Sequence, residues 1–309
     1  MKRLFRLTLV IVTTSLMACG PSVRTVDPIS NELLFSNTII HQDMTWSGDI
    51  AIRGVFVVGR GATLTIEPGT TVRFHKIDSN NDQIGDSEIR VLGRILAEGS
   101  KEAPITFKSA EKNPAPKDWS YILIFSSAHT NSLQYCLFRD AFTGLQVHFS
   151  TASVSDSIFI NNNEGLRFGR AKFKIIHNTI ENNNLGVRFT RMEGPVEITG
   201  NHITQNRIGV FLVPSSQQIV DFFEPGRTGK PWNEGHLEIK DNNIFANTDY
   251  NLNLGAKQKW DLAITGNWWG KTDSQTIQKS IFDITRDDAL GKAIYEPYLT
   301  APVPNAGPR

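Results

Sequence analysis

The sequence predicts an all-β chain wound as a parallel β-helix solenoid, with an N-terminal cap and a short C-terminal helical and extended cap. Three observations predict it. Gly144-Leu145-Gln146-Val147, Gly165-Leu166-Arg167-Phe168, Gly186-Val187-Arg188-Phe189 and Gly209-Val210-Phe211-Leu212 follow one another at steps of 21, 21 and 23 residues. A second track runs ahead of them through Cys136-Leu137-Phe138, Ser157-Ile158-Phe159, Asn178-Thr179-Ile180 and Asn201-His202-Ile203, and resumes at Asn242-Asn243-Ile244 and Asn267-Trp268-Trp269. Between the tracks lie Asn161-Asn162, Asn182-Asn183, Gln205-Asn206 and Ala246-Asn247. Each unit is thus a short alternating strand, an Asn-rich corner, a glycine and another short strand, a period of the length that marks stacked coils. The strands are too short and too rich in β-branched and aromatic residues for helices.

Ser30 to His41, with Leu33, Leu34, Phe35, Ile39 and Ile40, reads as the N-terminal cap that a solenoid needs over its open edge. The next stretch repeats less cleanly with the same grammar: Ile50-Ala51-Ile52, Val55-Phe56-Val57, Leu64-Thr65-Ile66, Val72-Arg73-Phe74, Ile89-Arg90-Val91, Ile105-Thr106-Phe107 and Ile122-Leu123-Ile124-Phe125. Glu67-Pro68-Gly69-Thr70 and Ala97-Glu98-Gly99-Ser100 read as corner turns. Dividing the span 48–270 by the period, insertions removed, gives about eight to ten coils. Asn and Gly at the corners suit left-handed backbone angles, and asparagines at equivalent corners can bond amide to amide up the stack. Ser274 to Phe282 reads as a short helix with Ile277 and Ile281 on one face, Ala293 to Leu299 as an extended closing segment, and Ala301 to Arg309 as a loose Pro-rich tail. The predicted organisation is a leader at 1–18, a tether at 19–29, one solenoid domain at 30–300 and the tail at 301–309.

Composition limits the function. Of 309 residues, 39% are hydrophobic and 20% charged, which suits a folded core and not a disordered chain. Lys and Arg total 32 against 31 Asp and Glu; without Lys2, Arg3 and Arg6 of the leader the balance is 29 to 31. That argues against a nucleic-acid partner. Two cysteines exclude a disulfide-stapled scaffold and a Cys-rich metal module.

The leader pairs a basic start with the apolar run Leu7 to Ala18, short for a membrane span. It ends in Leu16-Met17-Ala18-Cys19-Gly20, which resembles the lipobox of bacterial lipoproteins. The resemblance implies acylation of Cys19, cleavage just before it and, with Gly20 rather than Asp following, delivery to the outer membrane. Two or three acyl chains anchor stably where one does not. The run Gly61-Ala62-Thr63-Leu64-Thr65-Ile66-Glu67-Pro68-Gly69-Thr70-Thr71-Val72, then Val91-Leu92-Gly93-Arg94-Ile95-Leu96-Ala97-Glu98-Gly99, and Gly266-Asn267-Trp268-Trp269-Gly270 resemble the pectate-lyase-like right-handed β-helix proteins. That resemblance implies the handedness, and little about function, because the scaffold hosts lyases, hydrolases, epimerases, adhesins and non-enzymes.

Three insertions interrupt the coils, and loops on a rigid scaffold commonly carry function. In Asp78 to Glu88, the oxygens of Asp78, Asn80 and Asp82 resemble the start of a calcium loop, but Gln83 stands where glycine is wanted and Ile89 where glutamate is; a solvated hairpin loop is the simpler reading. Ser109 to Asp118 reads as a Lys- and Pro-rich surface linker. Val213 to Gly235 lengthens one coil step from 23 to 41 residues and holds Phe222, Phe223, Arg227, Lys230 and Trp232. These suit a sugar ring or an acidic ligand, unless the aromatics fold back onto the helix.

Alternation exposes one column, Gln146, Arg167, Arg188 and Phe211, with Arg170 and Arg191 a few residues after their strands. Stacked like charges invite an anionic partner, unless Glu164, Glu193 and Glu197 neutralise them. No catalytic constellation is present. Asn247-Thr248-Asp249 and Asp287-Asp288 match pieces of polygalacturonase motifs, yet the companion motifs are absent. His41, His75, His129, His148, His177, His202 and His236 show no mutual spacing. Copper delivery, the role of one periplasmic β-helix protein, would call for soft ligands. After the leader the chain offers only Met44, Met192 and Cys136, the last at a core-lining position. No cofactor is expected. The sequence reading is a non-catalytic envelope lipoprotein whose lateral face binds a glycan or protein partner. The alternative is a polysaccharide lyase or glycoside hydrolase acting on acidic polysaccharide.

Overall fold

The computed structural model describes residues 24–26, 33–190, 194–213, 237–255 and 259–309. The described chain is a parallel β-helix with three lateral faces. On the first, Cys136–Arg139, Ile158–Ile160, Thr179–Glu181, His202–Thr204 and Asn243–Phe245 pair in parallel. On the second, Trp119–Phe125, Ala141–His148, Glu164–Gly169, Leu185–Phe189, Ile208–Leu212 and Tyr250–Asn253 do the same. The third is an eight-stranded sheet running from Met44–Trp46 to Leu237–Lys240. The parallel coils of the sequence reading are therefore observed.

Inward positions stack by residue type from coil to coil. Phe107, Phe138 and Phe159 stack with ring centroids 5.0 and 4.4 Å apart, and Phe168 lies 5.3 Å from Phe189. All five are fully buried. Aromatic stacking adds to the burial term of each ring.

Two corners are held by asparagine ladders. Asn162, Asn183, Asn206 and Asn247 form one; Asn178, Asn201, Asn242 and Asn267 form the other. After the first member of each ladder, the side-chain oxygen accepts from both the backbone N–H and the side-chain amide of the asparagine one coil earlier, as Asn183 does from Asn162 at 2.9 and 3.0 Å; Asn162 and Asn178 accept instead from Ala141 and Ser157 N–H. Buried corner amides are thereby satisfied without water. The left-handed angle falls one residue earlier than the ladder itself, at Asn161, Asn182, Gln205 and Ala246, and at His177, Gly200, Asp241 and Gly266. The cost of that angle in a bulky residue such as His177 is offset by the hydrogen bonds of the asparagine that follows.

Four expectations change. Leu33–Ile40 is itself the first rung: it pairs in parallel with Asp49–Val58, and Arg24–Val26 pairs antiparallel on its outer edge. Both long strands cross from the first face to the second at a bend, where Asn37 Oδ1 accepts from Val55 N–H at 3.0 Å; a Cβ on Gly54 would lie 2.3 Å from that oxygen. The C-terminal helix is only Ser274–Lys279, capped by Asp273, because Ile281–Phe282 leaves it to add a strand beside Tyr250–Asn253. The tail 301–309 is not loose. Val303 N–H donates to Asn243 Oδ1 at 2.8 Å, Gly307 N–H donates to Gly200 O, and the Arg309 guanidinium lies 3.1 Å from Asp156. The segment lies back along the first face, and its Pro residues suit an extended strap that needs few backbone donors.

Candidate functional site on the second face

The second face carries most of the described residues that the sequence singled out. Parallel register places Gln146, Arg167, Arg188 and Phe211 opposite one another in successive strands as expected, but Gln146 is buried and not exposed, so the open part of the column starts at Arg167. Neighbouring rungs are about 4.8 Å apart, so the two guanidinium stems run side by side. The Arg188 guanidinium donates to Glu164 Oε1 at 2.6 Å, and Thr143 Oγ1 donates to Glu164 Oε2 at 3.0 Å. Glu164, 2% exposed, is thus the carboxylate that answers the column. Glu197 instead faces Lys174 on the third face. Arg170, at a left-handed corner, sits over the Phe149 ring at 5.9 Å, a cation–π geometry. His148 lies behind the column; burial, then the charges of Arg167 and Arg188, push its pKa down to about 3. A neutral imidazole is the result.

Further along the same face, a cavity of about 460 Å³ opens against the Asp78 to Glu88 loop, with Asp86, Glu88, Arg90, Ser120, Tyr121 and Phe142 among its walls. The strand Glu88–Val91 turns Ile89 and Val91 inward and Glu88 and Arg90 outward. Register sets Glu88 one rung from the Tyr121 strand, and the Arg90 guanidinium pairs with the Glu88 carboxylate. Burial holds the Glu88 pKa above its ordinary value, against the pull of Arg90 and the Tyr121 hydroxyl. Burial, with the Glu88 charge, pushes Tyr121 up to about 12. Glu88, Arg90, Tyr121 and Phe142 carry no functional assignment from the sequence. The signal was there in outward positions beside an insertion, but an outward residue looks solvated until the loop is folded over it.

The loop itself is held by its own acceptors. Asp78 accepts from the backbone N–H groups of Asp82 and Gln83, Asn80 Oδ1 accepts from Asp82 N–H, and Asp82 accepts from Ile84 N–H. The three calcium candidates are close in space, yet their oxygens turn to amides rather than toward a common point. Among the described residues no three His, Cys, Asp or Glu side chains come together as metal ligands. Soft donors are equally dispersed. Cys136 is buried in the core, its thiol donates to Ala97 O, and burial pushes its pKa far above the usual thiol range. Met44 Sδ accepts from Trp46 Nε1 at 3.3 Å. Asn247 belongs to a corner ladder and Asp249 pairs with Arg207 at 2.8 Å, so neither forms part of a hydrolase site. Cys19, Arg191, Phe222, Phe223 and Trp232 lie outside the described residues, as does Glu193.

In comparison with protein families, the model described as NosD, periplasmic copper-binding protein, matches residues 36–224, more than half the chain. No curated protein matches, and no solved structure does.

Proposed function

The chain belongs to the NosD family of periplasmic proteins, and on that premise we propose that it is a non-catalytic, lipid-anchored envelope module that binds an acidic glycan along its second face. The observation that carries the reading is the column of Gln146, Arg167, Arg188 and Phe211 in strict register, flanked by Arg170 on Phe149. Two adjacent cations, Arg167 and Arg188, at about 4.8 Å spacing present charge to an extended polymer from a rigid scaffold, which lowers the ordering cost of binding. Among the described residues, the Glu164 carboxylate partly offsets the charge and fixes the Arg188 side chain in place.

The family's name raises copper, which the sequence reading set aside. The donor set among the described residues does not suit a soft or borderline cation. The Cys136 thiol is protonated and enclosed in the core, Met44 sulfur is taken by an indole N–H, and among the described residues no three His, Cys, Asp or Glu side chains converge. Copper sites require thiolate, thioether or imidazole groups that converge. No step of the proposed function therefore passes through copper.

Anchorage rests on Cys19 after a short apolar leader. The full chain should incorporate palmitate in cells and fractionate with the outer membrane. Cys19→Ser should abolish labelling and release the protein from that fraction; a variant still held there would refute the anchor. For the binding reading, the full chain is incubated with polygalacturonate, alginate and neutral polysaccharides. Gel retardation reports binding, while ultraviolet absorbance of unsaturated ends and assay of reducing ends report cleavage. Retardation by acidic polymers without new ends is expected. New ends that vanish on substituting one acidic residue would make the chain a lyase or hydrolase. Neither retardation nor product would point to a protein partner.

A further inference from the structure

We infer that the cavity beside the Asp78 to Glu88 loop is a subsite for one uncharged pyranose unit of the glycan, distinct in chemistry from the arginine column. The inference rests on the glycan-binding reading of the second face and adds a ligand class to one place on it. Its volume, about 460 Å³, is of small-molecule size. Phe142 and Tyr121 supply ring surface for the apolar face of a sugar, and Glu88, Arg90 and Ser120 supply acceptors and donors at its edge. The Glu88–Arg90 pair is suited to neighbouring hydroxyls, one donating to the carboxylate and the next accepting from the guanidinium.

Charge separates this subsite from the column. Asp82, Asp86 and Glu88 outnumber Arg90 around the cavity, so a uronate would meet like charge there, and rejection of like charge is a strong source of specificity. Arg90 heads the column that continues through Leu123 and Gln146 to Arg167. Three rungs at about 4.8 Å place Arg167 about 14 Å from Arg90. A single polymer carrying neutral and acidic units can therefore lie on both. Asp82 and Asp86 are themselves fixed by loop hydrogen bonds to Ile84 N–H and to Ser79, so the cavity wall is formed before a ligand arrives.

The test uses the full chain in detergent, titrated calorimetrically and by saturation-transfer NMR with cellobiose, N,N′-diacetylchitobiose and digalacturonate. The expected result is that one of the neutral disaccharides binds, with saturation transferred to its ring protons. Tyr121→Phe should weaken it several-fold, and Glu88→Gln and Phe142→Ala at least tenfold. Retardation by polygalacturonate should stay within twofold of wild type in all three variants, which also shows that they fold. No neutral disaccharide binding, or neutral binding unchanged in Glu88→Gln and Phe142→Ala, would overturn the subsite whatever the acidic polymer does. Loss of polygalacturonate binding in Arg167→Ala with neutral binding retained would leave the subsite standing; failure of wild type to bind any acidic polymer would remove the reading of the column and not that of the cavity.

Discussion

The coils from Cys136 to Phe245 and those from Leu33 to Phe125 share three faces and one continuous core, but their corners are built differently. The later coils repeat one solution: a left-handed residue followed by a ladder asparagine, as at His177-Asn178 and Gln205-Asn206. The earlier coils use a different device at each corner. Asn37 bonds across to Val55, Ser87 Oγ accepts from Gly54 N–H and donates to His75 O, and Asn131 Oδ1 accepts from Ile95 N–H. The ladder continues past the long 213–235 insertion, Asn206 bonding Asn247 41 residues on, whereas the earlier corners differ from one to the next. The loop at 78–88 and its cavity sit in the irregular half, and the arginine column lies in the regular half, where strict register aligns like residues. Regularity aligns a surface; irregularity opens a pocket.

If the core is common to both halves, its truncations should cost alike. Phe138→Ala in the regular half and Phe74→Ala in the irregular half, where Phe74 stacks 4.1 Å from Trp119, should each lower stability by about 3–5 kcal/mol in denaturant unfolding. A small effect at Phe74 alone would break the comparison. Corner substitutions should separate the halves. Asn201→Ala removes an acceptor from Asn178 and donors to Ile175 O, Thr199 O and Asn242, and each buried group left unpaired costs about 1–3 kcal/mol. Ser87→Ala orphans fewer groups and should cost less in the same assay. Equal costs would show that the ladder adds nothing beyond a local cap.

The strap offers a smaller, pH-dependent contrast. Burial works to raise the Asp156 carboxyl, yet hydrogen bonds from Arg309 and Gln134 hold it below its ordinary value of 3.8. A folded pKa below the unfolded one gives stability that is complete above 3.8 and lost as pH falls through the lower, folded value. Exchange of the Gly307 amide, which donates to Gly200 O, should therefore quicken as pH drops below 3.8 relative to ladder amides, after correction for intrinsic rates. Asp156→Asn should remove that pH dependence.

The fold was legible because a coil of about 22 residues writes itself repeatedly, and one clear reading of Gly165-Leu166-Arg167-Phe168 interprets its equivalents. The inward phenylalanines, the amide ladders, buried Cys136 and the Gln146–Phe211 column all followed from that period. The cavity did not. Glu88 and Tyr121 become neighbours across 33 residues of chain that include the non-repeating insertion 109–118, so no period could announce them. The tail misled for a related reason: a Pro-rich segment without alternation reads as loose, and only the folded first face shows what Val303 and Arg309 bond to. The Ser274 helix was read three residues too long because Ile281 suits equally a helix face and a strand facing inward.

Whether the second face is the binding surface is decided by retardation in polygalacturonate of two double variants of the full chain. Arg167→Ala with Arg188→Ala strips the second-face column, and Lys172→Ala with Lys174→Ala strips cations from the exposed third-face strand Lys172–Ile176. Both remove two positive charges, so nonspecific attraction falls equally. The prediction is that the arginine variant binds at least tenfold more weakly and the lysine variant within twofold of wild type, with melting temperatures confirming that both are folded. Equal weakening in the two, or a loss confined to the lysine variant, would contradict it.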